Sequence, residues 1–190
     1  MGKIILASSS PRRANILKKM NLDFRVIPSS YVEPHDKTVF SYDFVENLAL
    51  NKALNVAKNF RNEDSTVIGA DTIVVIDNKI LGKPTDKNDA IKTLKLLSGN
   101  THFVVTSVAV INSKTLNYKV KSTTTYVTFK NLTDEQIEYY IENFKPFDKA
   151  GSYGLQELPE GYVQEVNGEA DNVIGLPSKT LNALLEQLSD

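Results

Sequence analysis

The chain contains no cysteine, which excludes disulfides and thiolate metal sites and suits a reducing, cytoplasmic setting. Histidine is nearly as scarce. His35 and His102 are the only two, far apart in sequence, so an all-histidine zinc site is impossible and histidine general-base chemistry is not favoured. An excess of one charge is also missing: 22 lysines and arginines face 23 acids, for a net charge of -1. Without a basic field, general nucleic-acid binding is not expected. No segment approaches the ~20 apolar residues that cross a bilayer. The N-terminal apolar run is only about five residues long before serines and arginines interrupt it, so no signal peptide and no membrane partner are expected. The phosphate loop GxxxxGK[ST], the dinucleotide fingerprint GxGxxG, the G-x-S-x-G elbow and HExxH are all absent.

What is present describes a globular chain. Of 190 residues, 41% are hydrophobic and 24% charged, enough to bury a sizeable core and too apolar for disorder. No internal repeat, low-complexity tract or clear linker divides it, so one domain over residues 1–190 is expected. Lys3 to Ala7 reads as a buried strand that runs into "LASSSPRR" and then a helix from Pro11 to Met20, with Ser10 at the N-cap and proline at the first position. A second strand is expected over Asp23–Pro28, and a long helix from the Ser41 cap to about Phe60. "TVIGADTIVVI" (66–76) is a near-continuous apolar strand turning at Asp77-Asn78-Lys79 into Ile80-Leu81. A helix follows from Asp86 to about Ser98, closed by Gly99. His102–Ile111 and Tyr118–Phe129 form an antiparallel hairpin. Thr133 and Gln136 make a capping box for a helix to about Asn143. Residues 145–172 read as loops with short strands, ahead of a terminal helix near 178–188. βα units combined with a long hairpin give an α/β class with a mixed β-sheet flanked by helices.

Several residues sit where their chemistry is costly. Asp71 lies inside an apolar strand, and an unpaired buried carboxylate costs several kcal/mol, so it must bind a cation, pair with a base or titrate upward. Gly69, two residues earlier, leaves room for close approach. Lys52 falls on the apolar stripe Phe44–Leu48–Lys52–Val56; it either snorkels to solvent or reaches into a cleft to meet phosphate. Lys83 is held between Gly82 and Pro84 at a strand end, as a simple turn lysine or a phosphate contact. Glu33 reads by default as a solvated loop acid, yet paired with Asp71 it could hold a hard divalent cation. Arg12 and Arg13 fit the positive end of a helix dipole badly unless an anion occupies the serine turn. Together the cations Arg12, Arg13, Lys52 and Lys83 and the acids Glu33 and Asp71 suit a metal-bound polyphosphate.

In this order, "LASSSPRR", Glu33, "LALNKA", "GADTIV", "LGKP", "LLSG" with His102, "DKAGSYGLQ" and "NVIGLP" resemble the Maf family of nucleoside triphosphate pyrophosphatases, relatives of the inosine triphosphate pyrophosphatases. The resemblance spans almost the whole chain. It implies an elongated, two-lobed α/β fold with a central cleft, a homodimer, and hydrolysis of the α–β phosphoanhydride to a monophosphate and pyrophosphate with a divalent cation, Mg²⁺ or Mn²⁺. "DKAGSYGLQ" is similar to the branch acting on dTTP and UTP. Its specificity positions map onto Arg12, Thr72 and Gln156, and its proton acceptor onto Asp71. The mechanism expected from these residues places the triphosphate among Ser8, Arg12, Arg13, Lys52 and Lys83, with the metal held by Glu33 and Asp71. Glu169-Ala170-Asp171 departs from the family pattern, which more often shows a small residue and an aromatic there. In a regular strand Asp71 and Thr72 face opposite sides, so both line one cleft only if the strand bulges or ends. A nucleotide-binding regulator of cell division with little turnover, and a phosphotransferase, are the rival readings.

Overall fold

The computed structural model describes residues 3–34 and 39–189. His35 lies outside the described residues. The elements, in order, are β1 (Lys3–Leu6), α1 (Pro11–Lys19), β2 (Phe24–Val26), α2 (Tyr42–Ala57), β3 (Ser65–Ile76), β4 (Lys79–Leu81), α3 (Lys87–Leu97), β5 (Thr101–Asn112), β6 (Tyr118–Phe129), α4 (Asp134–Phe144), β7 (Val163–Asn167), α5 (Ala170–Ile174) and α6 (Ser178–Ser189). Single 3₁₀ turns follow α2 at Lys58–Phe60 and precede β7 at Pro146–Asp148 and Ala150–Ser152. One seven-stranded mixed sheet runs β2-β1-β3-β5-β6-β7, with β4 also on β3. β1 pairs in parallel with β2 and β3, and all other pairings are antiparallel.

Local chemistry accounts for the element ends. The Ser41 hydroxyl accepts from the Phe44 N–H and Asp86 accepts from the Asp89 N–H, each satisfying a donor at a helix start. Thr133 and Gln136 close the expected capping box. β2 is shorter than its apolar run because it pairs only with Ile4 to Leu6. Ser10 does occupy the N-cap of α1, but its side chain makes no capping bond. Its own N–H is taken by the Ser8 hydroxyl at 3.2 Å.

β3 is the spine, and its two faces are each interrupted once. On the odd-numbered face Val67 packs with Ala49, Ala53 and Val56 of α2, while Ile73 and Val75 pack with Val45 and Val105. On the even-numbered face Ile68 and Ala70 join α1 and α6 through Ile16, Leu17, Leu181 and Leu184. Further along, Val74 and Ile76 join α3 and α4 through Leu94, Ile137 and Ile141. Between these clusters stand Asp71 on one face and Thr72 on the other. The apolar core therefore parts at the same strand position on both sides of the sheet.

The departure at residues 169–171 is structural. Glu169 Oε1 accepts from the Lys179 N–H and the Ser178 hydroxyl, each at 3.1 Å, and Asp171 Oδ2 accepts from that hydroxyl at 2.8 Å. Two acids thus cover the positive end of α6. Next to them Asn172 is fully buried and satisfied: its amide donates to Val104 O and Thr125 Oγ1, and its carbonyl accepts from the Thr106 N–H.

His102 is 1% exposed, bonded through Nε2 to the Tyr153 hydroxyl at 2.7 Å, and burial lowers its pKa to about 4. In the unfolded chain the value returns to 6.5, so the unfolded state binds the proton first. Stability is therefore complete above pH 6.5 and declines as pH falls towards 4, by a total of about 3 kcal/mol. Chemical denaturation at pH 7 and pH 4 is expected to show this loss, and His102→Gln is expected to reduce it. An unchanged pH slope in the variant would place the acid sensitivity elsewhere.

Candidate active site

β1 stops pairing at Leu6 opposite Ile68, and β4 covers β3 only from Val74 to Ile76. Both lie on the side of β3 away from β5, which pairs without a break from Thr66 to Val75. Among the described residues, Gly69 to Ile73 therefore have no strand neighbour on that edge. A cleft of about 1090 Å³ opens there. Asp71 and Thr72 both line it although they point to opposite faces, because the cleft reaches around the bare edge. Neither a bulge nor a strand end is needed, which corrects the expectation from side-chain alternation.

On the odd-numbered face Gly69 sets the geometry. A Cβ there would lie 2.7 Å from Ala53 N and 2.8 Å from Ala53 Cβ, and would also strike the Ala49 carbonyl. The helix sits this close to the strand only because position 69 has no side chain. The same approach brings Lys52, between Ala49 and Ala53 in α2, over Asp71. Lys52 Nζ lies 2.5 Å from Asp71 Oδ1 and 2.7 Å from Glu33 Oε1. Lys52 thus enters the cleft and does not snorkel away from it, and Glu33 is exposed as expected but also ion-paired with Lys52. Asp71 is 6% exposed. Burial pushes its carboxyl above the ordinary range, with Lys52 and Arg13 pulling the other way. For Glu33 burial also acts upward, but the hydrogen bond and charge of Lys52, aided by Lys83 and Arg13, outweigh it and the net direction is down. Two carboxylates with opposite shifts share one cation.

On the even-numbered face Arg13 ties three segments together. Its Nε donates to Gly175 O at 2.9 Å, Nη1 to Ser8 Oγ at 3.1 Å and Nη2 to Thr72 Oγ1 at 3.1 Å. Gly175 holds this position with φ 127°, a conformation that favours glycine. Thr72 also bonds Thr106 Oγ1 at 2.9 Å, so its hydroxyl is committed beneath Arg13. Ser8 accepts from both Arg13 and the Ser10 N–H, which leaves its hydroxyl hydrogen to donate outward. No first-turn acid and no capping side chain serve α1. Among the described residues, the N–H groups of Arg12 and Arg13 have no hydrogen-bond acceptor, and they face an anion-favouring end of the helix.

The far wall comes from residues 148–157. Arg12 Nη1 donates to Asp148 Oδ2 at 2.8 Å. Burial acts to raise Asp148, but its bonds to Lys149 and Arg12 prevail and hold it at about 2. Lys83 is exposed on the rim and makes no ion pair among the described residues. Gln156 is exposed on the same rim, its amide free of any hydrogen bond among the described residues. All the residues expected from sequence therefore line one cleft: Ser8, Arg12, Arg13, Glu33, Lys52, Asp71, Thr72, Lys83 and Gln156. Sequence reading missed Asp148, Lys149 and Glu157, which form a charged chain beside Arg12. The only signal was their place within "DKAGSYGLQ" and just after it.

A family model described as Maf-like protein matches residues 3–188. The chain belongs to the Maf family. Among curated Maf relatives, a dTTP/UTP pyrophosphatase of Clostridium novyi is 45% identical over 99% of this chain and 97% of its own length. One of Acetivibrio thermocellus is 41% identical over 98% and 95%. The solved structure of a HAM1 protein from Coxiella burnetii has a TM-score of 0.55 at 17% identity, covering 98% of this chain and all of that one. That likeness is one of fold, and it agrees with the mixed-sheet α/β class. No described helix is long and apolar enough to cross a membrane.

Proposed function

We propose that this Maf protein is a nucleoside triphosphate pyrophosphatase that hydrolyses dTTP and UTP to the monophosphate and pyrophosphate. The names of its relatives support the reaction. The observation that carries it is a buried carboxylate, Asp71, on a bare strand edge between Lys52 and the Arg12–Arg13 turn. In this reading the triphosphate lies among Ser8, Arg12, Arg13, Lys52 and Lys83, with the free N–H groups of α1 on its oxygens. Asp71 accepts a proton from the attacking water as the water oxygen bonds to the α-phosphorus. The α–β bridging oxygen leaves with pyrophosphate, whose charge the cations offset. Gln156 presents one donor and one acceptor, matching the N3–H and an adjacent carbonyl of uracil or thymine.

A divalent cation, Mg²⁺ or Mn²⁺, fits the donor set. Lys52 Nζ already sits within 2.7 Å of both Glu33 and Asp71 oxygens, so one cation is reachable by both carboxylates. Among the described residues no group of three or more acids or histidines gathers to form a closed site. Two protein oxygens completed by phosphate and water suit Mg²⁺. When bound, it would polarise the phosphoryl oxygens and lower the pKa of water. A cytoplasmic homodimer with a house-cleaning role completes the reading.

Purified protein incubated with UTP or dTTP and Mg²⁺ or Mn²⁺ is expected to yield monophosphate and pyrophosphate in equal amounts. Diphosphate and inorganic phosphate as products would overturn the reading, because that cut falls at the β–γ bond. Binding without turnover would favour a regulator, and transfer to an acceptor other than water a phosphotransferase.

A further inference from the structure

Lys149 has no part in the mechanism above, yet it is the most enclosed cation of the cleft wall. Its side chain is 8% exposed, with Nζ at 2.7 Å from Asp148 Oδ1 and 3.0 Å from Glu157 Oε2. The slot that holds it is built with care. A Cβ on Gly154 would lie 2.9 Å from Lys149 Cε and 3.1 Å from Cδ. The Lys149 stem therefore packs under the 154–157 turn only because Gly154 has no side chain. That turn is closed by the Glu157 N–H on Gly154 O at 2.9 Å and held by the Gly154 N–H on the Tyr140 hydroxyl at 3.0 Å. On its other side, Gly151 and Ser152 both take the left-handed conformation, at φ 68° and 62°. A Cβ on Gly151 would lie 2.9 Å from Val74, and the Gly151 N–H donates to Gly82 O at 3.0 Å. Strain of this kind persists only where its surroundings fix it.

The two acids on Lys149 connect to different residues of the cleft. Asp148 gives one oxygen to Lys149 and the other to Arg12, on the phosphate side. Glu157 directly follows Gln156 in the chain, the residue that the proposed function sets against the base. We propose that Lys149 is a positioning residue that sets Arg12 and Gln156 in register through Asp148 and Glu157, so that the grip on phosphate and the reading of the base depend on one buried ammonium. The proposal rests on the pyrimidine triphosphate reading above and adds the residue that couples its two halves.

The test uses Lys149→Met, which keeps the stem, and Lys149→Arg, which keeps the charge. Each is assayed for kcat/KM with UTP and with CTP, and for binding of both by calorimetry. Lys149→Met is expected to raise KM for UTP at least tenfold and to shrink the UTP-to-CTP preference at least fivefold, with Lys149→Arg recovering most of the preference. A cycle with Glu157→Gln is expected to be non-additive, the double variant losing no more preference than either single one. Equal losses for both nucleotides, no loss, or additive losses in the cycle would each overturn the proposal, additivity meaning that Lys149 touches the base itself. If Lys149→Met does not fold, Asp148→Asn and Glu157→Gln decide alone. The first is expected to raise KM at unchanged preference and the second to reduce preference, and neither effect appearing would overturn it. Calorimetry reads the preference without turnover. A wild type that binds UTP over CTP but releases no pyrophosphate thus fails the functional reading and not this one.

Discussion

Asp71→Asn is expected to lower kcat with UTP by at least ~100-fold, the scale for losing a positioned general base, while the protein stays folded. The substitution keeps shape and hydrogen-bonding capacity but removes charge and basicity. Folding survives for a specific reason. Burial already disfavours the ionised carboxyl of Asp71, so its charge costs stability above its raised pKa, and the amide removes that cost. Lys52 keeps Glu33 as a partner at 2.7 Å, so no cation is stranded. Steady-state kinetics and a thermal melt at pH 7 check both halves. Turnover near that of the wild type in a folded variant would leave Asp71 a structural role only. A raised pKa also means that the acid limb of the wild-type rate lies above the ordinary carboxylate value of 3.8.

Much of this arrangement is legible in the sequence because it is local. The caps at Ser41, Asp86 and Thr133 announce themselves by residue type and spacing, and each makes its bond. β3, β5 and β6 are long, β-branched runs with no rival period. Asp71 stands out as a charge in an apolar strand, and Lys52 as a cation on a helix stripe. What escapes is set by contacts between distant segments. Nothing in "GADTIV" says that β1 will stop at Ile68 and β4 cover only Val74 to Ile76, yet that interval makes the edge bare and lets two opposite-facing side chains share a cleft. Arg13 reads as a phosphate contact, and only the fold shows its guanidinium bonded to Ser8, Thr72 and Gly175. It holds the wall together and presents its backbone N–H to the cleft. Residues 145–172 resist reading because single 3₁₀ turns and left-handed positions have no periodicity to detect. Lys149 is hidden there, its slot created by the missing side chain of Gly154.

Lys52→Met is expected to lower kcat/KM for UTP by at least ~100-fold, the size of a single preorganised charge in a transition state. It is also expected to change how the protein responds to metal. Among the described residues, the ammonium is the one protein cation held by both Glu33 and Asp71. Without it, two carboxylates share a partly buried pocket with only Arg13 and Lys83 acting from further away. Like charges raise each other's pKa, so one proton is retained to higher pH than in the wild type. The sign of the stability effect follows: with folded-state pKa values raised further than in the wild type, the variant loses more stability than the wild type as pH rises above the ordinary carboxylate range. A divalent cation reverses this, because it replaces the missing charge at the same two oxygens. Melting temperatures with and without Mg²⁺ or Mn²⁺, in the absence of nucleotide, are therefore expected to differ more for Lys52→Met than for the wild type, in which the ammonium competes for the site. Chelation is expected to abolish the difference. Equal metal shifts in the two proteins would mean that Glu33 and Asp71 do not hold the metal, and that in the working enzyme it arrives and leaves on the triphosphate alone.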